Sequence, residues 1–188
     1  MKKYIFYGGS FNPIHNGHIA VANAVLNEID NSVIYFSPVI NHPWSKNLIP
    51  IYNRLEMMYT IAEDNEKFKL CPDPFKYTIN FIKDIFTSKE FNRYNTYYLI
   101  GMDQAELIEE WAEWKELLNI IPFIVVNRYG ITHTNTWCMK DPHKLIYMKD
   151  VPISSSEIRQ QISNNDINSE YLNPKILDYI KKEKLYNE

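Results

Sequence analysis

The chain has 188 residues, 45% of them hydrophobic, and a net charge of −3; this is enough for one domain with its own core and too little positive charge for a broad nucleic-acid groove, although local Lys and Arg suffice for a small polyanion. Two distant cysteines, Cys71 and Cys138, make neither a CxxC pair nor a disulfide framework, which points to a reducing compartment. No apolar run approaches the ~20 residues of a membrane span, and the opening MKKYIFYGG turns polar too soon for a signal peptide, so a cytoplasmic protein is expected.

In chain order, KYIFYG (3–8) is β-branched and aromatic and predicts a buried strand stopping at Gly8-Gly9. NGHIAVANAVLNEI follows, with Ile19, Ala22, Leu26 and Ile29 at helical spacing. SVIYFSP (32–38) predicts a second strand, and the polar loop VINHPWSKNLI leads to Pro50, a good first residue for a helix over 51–64. FKLCPD (68–73) predicts a short strand, YTINFIKDIFTSK (77–89) a helix, and TYYLIGMD (96–103) a strong strand. QAELIEEWAEWKELL (104–118) reads as helical with a break near Trp111. PFIVVNRYG (122–130) and HKLIYMKD (143–150) predict strands, and SSSEIRQQIS and PKILDYIKKEKLY the last two helices. There is no repeat, linker or boundary, so one domain over 1–188 is expected, with a helical C-terminal portion from about 154.

This alternation predicts an α/β fold of βαβ units, a parallel sheet covered on both faces. Such sheets bind ligands beyond the carboxyl ends of their strands. Gly8–His18, Gly101–Asp103 and Ser154–Arg159 all fall at such ends and should converge at one edge. In GGSFNPIHNGHIA (8–20), Gly8 and Gly9 leave the backbone open to a ligand, Ser10 offers a hydroxyl and Pro13 stiffens the turn. The helix start after Asn16-Gly17 favours an anion, and His15 and His18, three apart, can face the same place. Two imidazole donors there suit a phosphate. A plain structural turn and a metal pair are the alternatives, the second without an obvious third ligand. Neither GxGxxG nor GK[ST] is present.

GSFNPIHNGH resembles the (H/T)xGH signature of the nucleotidylyltransferase superfamily, and ISSSEIR (153–159) resembles its second motif, ISSTxIR. The two together, in this order and at this separation, are specific. The resemblance implies a Rossmann-like doubly wound sheet, His18 as the main catalytic group with His15 beside it, and ATP held by Gly9, Ser10, Phe11, His15, His18, Gly101, Asp103, Ser154, Ser155, Ser156 and Arg159. Within the superfamily the chain resembles the nicotinate/nicotinamide mononucleotide adenylyltransferases over nearly its whole length. YYLIGMD is similar to their strand ending in Gly-x-Asp, EEWAEWKELL carries over their pyridine-stacking tryptophan onto Trp111, KYTINFI resembles SYTxxTL and carries over Thr78, and VVNRYG carries over Arg128. Lys46, in the polar loop, joins this mononucleotide group.

The resemblance also departs from the family. Asn12 stands where many bacterial members have Asp, and HPWSK where they have Pro-Pro-His-Lys; SPV…SKNLIPIYNR is closer to eukaryotic-type enzymes that accept both mononucleotides. The implied partners are ATP and a pyridine mononucleotide, with Mg²⁺ bound mainly through the ATP phosphates and no metal site in the protein itself. Neither nucleic acid nor membrane is expected, and a homo-oligomer is compatible. A phosphopantetheine adenylyltransferase and a non-catalytic nucleotide sensor are the alternatives. Some residues have structural readings as well: Ser154-x-x-Glu157 fits a capping box, Asp103 and Thr78 fit helix N-caps, and Trp114 fits packing. His42, His133 and His143 carry no signal.

Overall fold

Strand β1 (Lys3–Gly9) alternates its side chains between two cores, Ile5 and Tyr7 on one face and Tyr4 and Phe6 on the other, as the pleat requires. The computed structural model describes residues 1–40, 48–71, 73–128, 136–149 and 151–187. β1 lies inside a six-stranded sheet with β2 (Ser32–Pro38), β3 (Phe68–Leu70), β4 (Thr96–Gly101), β5 (Phe123–Arg128) and β6 (Lys144–Met148), in the order β3-β2-β1-β4-β5-β6. Every pairing is parallel. The chain winds outward from β1 to β3, returns, and winds outward again from β4 to β6. The order therefore reverses between β1 and β4, where a doubly wound sheet opens a crevice.

One face is covered by α1 (Asn16–Glu28), α2 (Ile51–Glu63), α6 (Ser155–Ser163) and α7 (Pro174–Lys182). Their Ala22, Val25, Met57, Met58, Ile158 and Ile176 close over Ile5, Ile34, Phe36 and Leu99. The other face is covered by α3 (Thr78–Ile85), α4 (Met102–Glu106) and α5 (Trp114–Ile120), whose Ile79, Ile82, Met102, Ala105 and Leu117 pack on Phe6, Tyr98, Ile100 and Phe123. Helices on both sides make the strands apolar on both faces, which is why they read as runs rather than alternations.

Two elements differ from expectation. The strand expected over 96–103 stops at Gly101, whose extended backbone caps α4 and lets the helix begin at Met102. The helix expected over 104–118 is broken, as foreseen near Trp111, but into three pieces: α4, a 3-10 turn over Ile108–Glu110, and α5. Trp111 is extended and Glu113 left-handed at φ 53°. The interruption turns the Trp111 ring edge-on to Tyr98, 6.3 Å between centroids. Among the described residues no helix is long and apolar enough to cross a membrane.

Candidate active site

A cavity of about 540 Å³ opens at the carboxyl ends of β1 and β4, where the strand order reverses. Its walls hold Gly8–Ser10, His15 and His18 from the first expected stretch, Gly101–Asp103 from the second, and Ser154 and Ser155 from the third. The three stretches therefore converge. Thr78 and Trp111 line the same cavity.

His15 is the N-cap of α1, and its Nδ1 accepts the backbone N–H of Gly17 at 3.1 Å. His18 answers: its Nδ1 accepts the backbone N–H of His15 at 3.2 Å. This is a capping box built from two imidazoles in place of the usual Ser/Thr and Glu/Gln. The rings lie 3.8 Å apart. A neutral imidazole whose Nδ1 accepts a hydrogen bond carries its proton on Nε2, so both rings have a donor at the far nitrogen. Gly17 permits the fold-back, since a Cβ there would sit 2.9 Å from the His15 ring and 3.0 Å from Ile153. Phe11, at φ 47°, is buried and does not line the cavity; its ring packs edge-on to His18 at 5.1 Å.

The glycine pair does more than bare the backbone. A Cβ on Gly8 would fall on the Tyr98 hydroxyl, and one on Gly9 would meet the Phe11 ring at 3.0 Å. The space is therefore taken on one side by the protein's own rings. Burial pushes the Tyr98 phenol far above its usual pKa, and a hydrogen bond with Thr78 pulls the other way. Thr78, Tyr98 and Trp111 thus form one wall.

At α6, Ser154 Oγ accepts from Glu157 N at 3.2 Å, and Glu157 Oε2 accepts from Ser154 N at 2.8 Å, so the capping box is present. The same segment is stitched to the first: Ser155 Oγ donates to the Pro13 carbonyl at 3.0 Å, and Arg159 Nη1 donates to the Asn12 carbonyl at 2.8 Å. Arg159 Nη2 donates to Ser156 Oγ at 3.1 Å. Ser156 and Arg159 are not among the residues that line the cavity. Asn12 Oδ1 also accepts from Tyr186 Oη at 2.9 Å and Ile49 N at 3.4 Å. Burial raises the Tyr186 pKa, against the pull of Arg159 and Arg54.

Neither Asp103 nor Thr78 is an N-cap. Gly101 and Tyr77 hold those positions, which leaves Asp103 in the first turn of α4 and Thr78 at the start of α3, both on the cavity. Trp114 is half-buried away from it, with the Lys115 ammonium 5.3 Å from its ring. Arg128 closes β5 opposite Met148, and its backbone alone is described. Lys46, His42 and His133 lie outside the described residues. His143 is structural: Nδ1 accepts from Phe123 N at 3.1 Å, and desolvation lowers its pKa and favours the neutral ring.

Arg54 escapes the sequence reading. It is 1% exposed, and its guanidinium donates to the carbonyls of Ser10 (2.8 Å), Val39 (2.8 Å), Ile40 (2.9 Å) and Ile49 (3.3 Å). It thereby ties the first stretch to the end of β2 and the approach to α2, while burial lowers its pKa. The signal was available: Arg54 precedes Met57, Met58 and Ile61 by three, four and seven residues, on the apolar stripe of its helix. Lys76, the first residue of KYTINFI, and Glu110, beside Trp111 in EEWAEWKELL, also line the cavity, and the resemblance carries no role onto either.

A family model described as cytidylyltransferase-like matches residues 6–161. A curated protein of Bacillus licheniformis, described as a probable nicotinate-nucleotide adenylyltransferase, is 31% identical over 199 aligned residues that cover 99% of each chain. Among solved structures, Plasmodium falciparum nicotinic acid mononucleotide adenylyltransferase complexed with NaAD superposes at a TM-score of 0.77 with 25% identity, covering 100% of this chain and 98% of that one. The structure with that same description complexed with APC gives 0.74 at 24% identity, over 100% and 98% of the chains, a likeness of fold.

Proposed function

The chain belongs to the cytidylyltransferase-like family and, within it, to the nicotinate-nucleotide adenylyltransferases, and from that premise we propose that it joins ATP to nicotinate mononucleotide in NAD biosynthesis, releasing pyrophosphate. The observation that carries the reading is that the two motifs are stitched together beside one cavity whose lining includes His15, His18, Ser154 and Ser155, with both imidazoles fixed by hydrogen bonds accepted at Nδ1.

The mononucleotide 5′-phosphate attacks the α-phosphorus of ATP in line. One oxygen–phosphorus bond forms, the α–β bridge breaks, and pyrophosphate leaves with the bond pair. A phosphate monoester is largely ionised near pH 7, so the attack needs no general base. What the protein supplies is position and charge stabilisation. His18 Nε2–H donates to the α-phosphate oxygens as charge builds there, with His15 beside it. The backbone of Gly9 and the Ser10 hydroxyl hold neighbouring oxygens.

Ser154 and Ser155, at the N-terminus of α6, receive the outer phosphates. Arg159 turns its fork to them by exchanging the Asn12 carbonyl for phosphate oxygen. Asp103 beside Gly101 accepts from the ribose hydroxyls, Trp111 stacks on the pyridine ring with Thr78 next to it, and Lys46 and Arg128 serve the mononucleotide. A Mg²⁺ ion would be carried on the triphosphate oxygens of ATP. When bound, that ion neutralises charge on the departing pyrophosphate. Cys71 and Cys138 remaining thiols is in keeping with a cytoplasmic setting.

Pyrophosphate release from ATP and Mg²⁺, with nicotinate mononucleotide, nicotinamide mononucleotide or phosphopantetheine as acceptor, tests the reading. Turnover with nicotinate mononucleotide is expected. Turnover with phosphopantetheine alone, or ATP binding with no turnover on any acceptor, overturns it.

A further inference from the structure

The cavity carries one charged feature that the phosphate chemistry above does not use. Among the described residues that line it, Lys76 is the sole Lys or Arg, and Glu110 is the acid beside Trp111. Lys76 sits on a fixed segment: the backbone of Phe75 bridges Val39, and the Phe75 ring stacks on Phe81 at 4.5 Å. The Lys76 ammonium rests 5.1 Å from the Tyr77 ring.

The segment belongs to the Trp111 wall. Two residues on, Thr78 lines the cavity together with Tyr98, whose ring meets Trp111. The helix that follows is tied to the stretch after Trp111 by Lys83 Nζ, 3.4 Å from Glu113 Oε2 and 2.9 Å from Glu116 Oε1. The imidazole pair stands at the start of α1 instead, stitched to the second motif through residues 12 and 13. Lys76 therefore charges the side of the cavity assigned to the pyridine ring.

We propose that Lys76 is a specificity-determining residue that selects the acid over the amide, its ammonium attracting the ring carboxylate of nicotinate mononucleotide while Glu110 opposes it. The proposal rests on the adenylyltransferase reading above. The two mononucleotides differ at one substituent, a carboxylate in one and a neutral carboxamide in the other. A nearby cation distinguishes them by Coulomb attraction, and an anion distinguishes them in the opposite sense. Lys76 and Glu110 are both exposed, so solvent and salt screen the effect and hold it to a modest factor.

The test measures kcat/KM for both mononucleotides at saturating ATP and Mg²⁺ in the wild type, Lys76→Met, Lys76→Arg and Glu110→Gln. Lys76→Met should lower the acid-to-amide ratio by roughly fivefold, mainly through the KM for nicotinate mononucleotide, and Lys76→Arg should restore most of it. Glu110→Gln should raise the ratio, by roughly threefold, and added salt should shrink both effects. A ratio that stays within about twofold in Lys76→Met overturns the proposal, whether both rates fall together or neither does, because Lys76 would then serve a part that the two acceptors share. Failure of the underlying reading is seen separately, in a wild-type enzyme that turns over neither acceptor.

Discussion

A histidine that accepts a backbone N–H at Nδ1 does two jobs with one ring, and the jobs can be separated by substitution. His18 closes the helix cap at Nδ1 and presents a donor at Nε2. His18→Ala removes both, so kcat should fall by roughly 10²–10³, about 2.7–4 kcal/mol of barrier, while stability falls by about 1 kcal/mol for the lost cap. His18→Asn places Oδ1 where Nδ1 stood and has nothing at the Nε2 position. It should melt close to wild type and turn over as slowly as the alanine variant. An asparagine enzyme with wild-type kcat would remove His18 from the chemistry. The spacing of the two histidines was legible in the sequence, but their mutual capping was not, because capping boxes are read from Ser/Thr and Glu/Gln. Arg54 was hidden for a similar reason: charge usually marks a solvated position, and only its place on an apolar stripe contradicts that.

At the scale of elements, the strand ends decide the shape of the site. β1 and β4 pair from Tyr4↔Thr96 to Tyr7↔Leu99, and their glycines lie just past that register. Gly8 leaves room for the Tyr98 hydroxyl, on the cavity wall that Tyr98 shares with Thr78 and Trp111. Gly8→Ala forces that hydroxyl away and displaces a ring that is 1% exposed and packed against Phe81, Trp111 and Phe123. The expected cost is about 1–3 kcal/mol of stability, typical of overpacking, with the KM for the mononucleotide rising more than the KM for ATP. Adding Tyr98→Phe removes the clashing oxygen and should recover part of the stability. Equal loss in the single and double variants would place the strain elsewhere. The alternation of strands and helices was legible because each run has its own period and its own punctuation. The strand order was not, since nothing local says on which side of β1 the fourth strand returns. The break at Trp111 was only half legible: Ile108 and Leu117 are both buried, and the residues between them look helical until tertiary packing pulls the tryptophan inward.

At the scale of the whole molecule, the family match ends at residue 161, yet the core does not. Ile176 and Ile180 are buried at 0% and 1% exposure under the same sheet face as α1 and α2. Asn53 Nδ2 donates to Tyr179 Oη at 3.0 Å, and Lys175 Nζ pairs with Asp64 at 2.7 Å, so α7 is fastened along α2. Beyond it Tyr186 reaches Asn12, the residue whose carbonyl holds Arg159. The two isoleucines alone are worth roughly 3–6 kcal/mol of buried apolar surface, against a typical total stability of about 5–15 kcal/mol. A chain cut after Asn173 should therefore lose its cooperative thermal transition. Because that variant tests only folding, Tyr186→Phe carries the functional half of the argument. It keeps the ring in the core and removes one hydrogen bond to Asn12, so it should melt within a few degrees of wild type and raise the KM for ATP several-fold, since a typical net hydrogen bond is worth about 0.5–1.5 kcal/mol. A truncated chain that still melts cooperatively at the wild-type Tm would make α7 an appendage. A Tyr186→Phe enzyme with an unchanged KM for ATP would confine the C-terminal segment to stability.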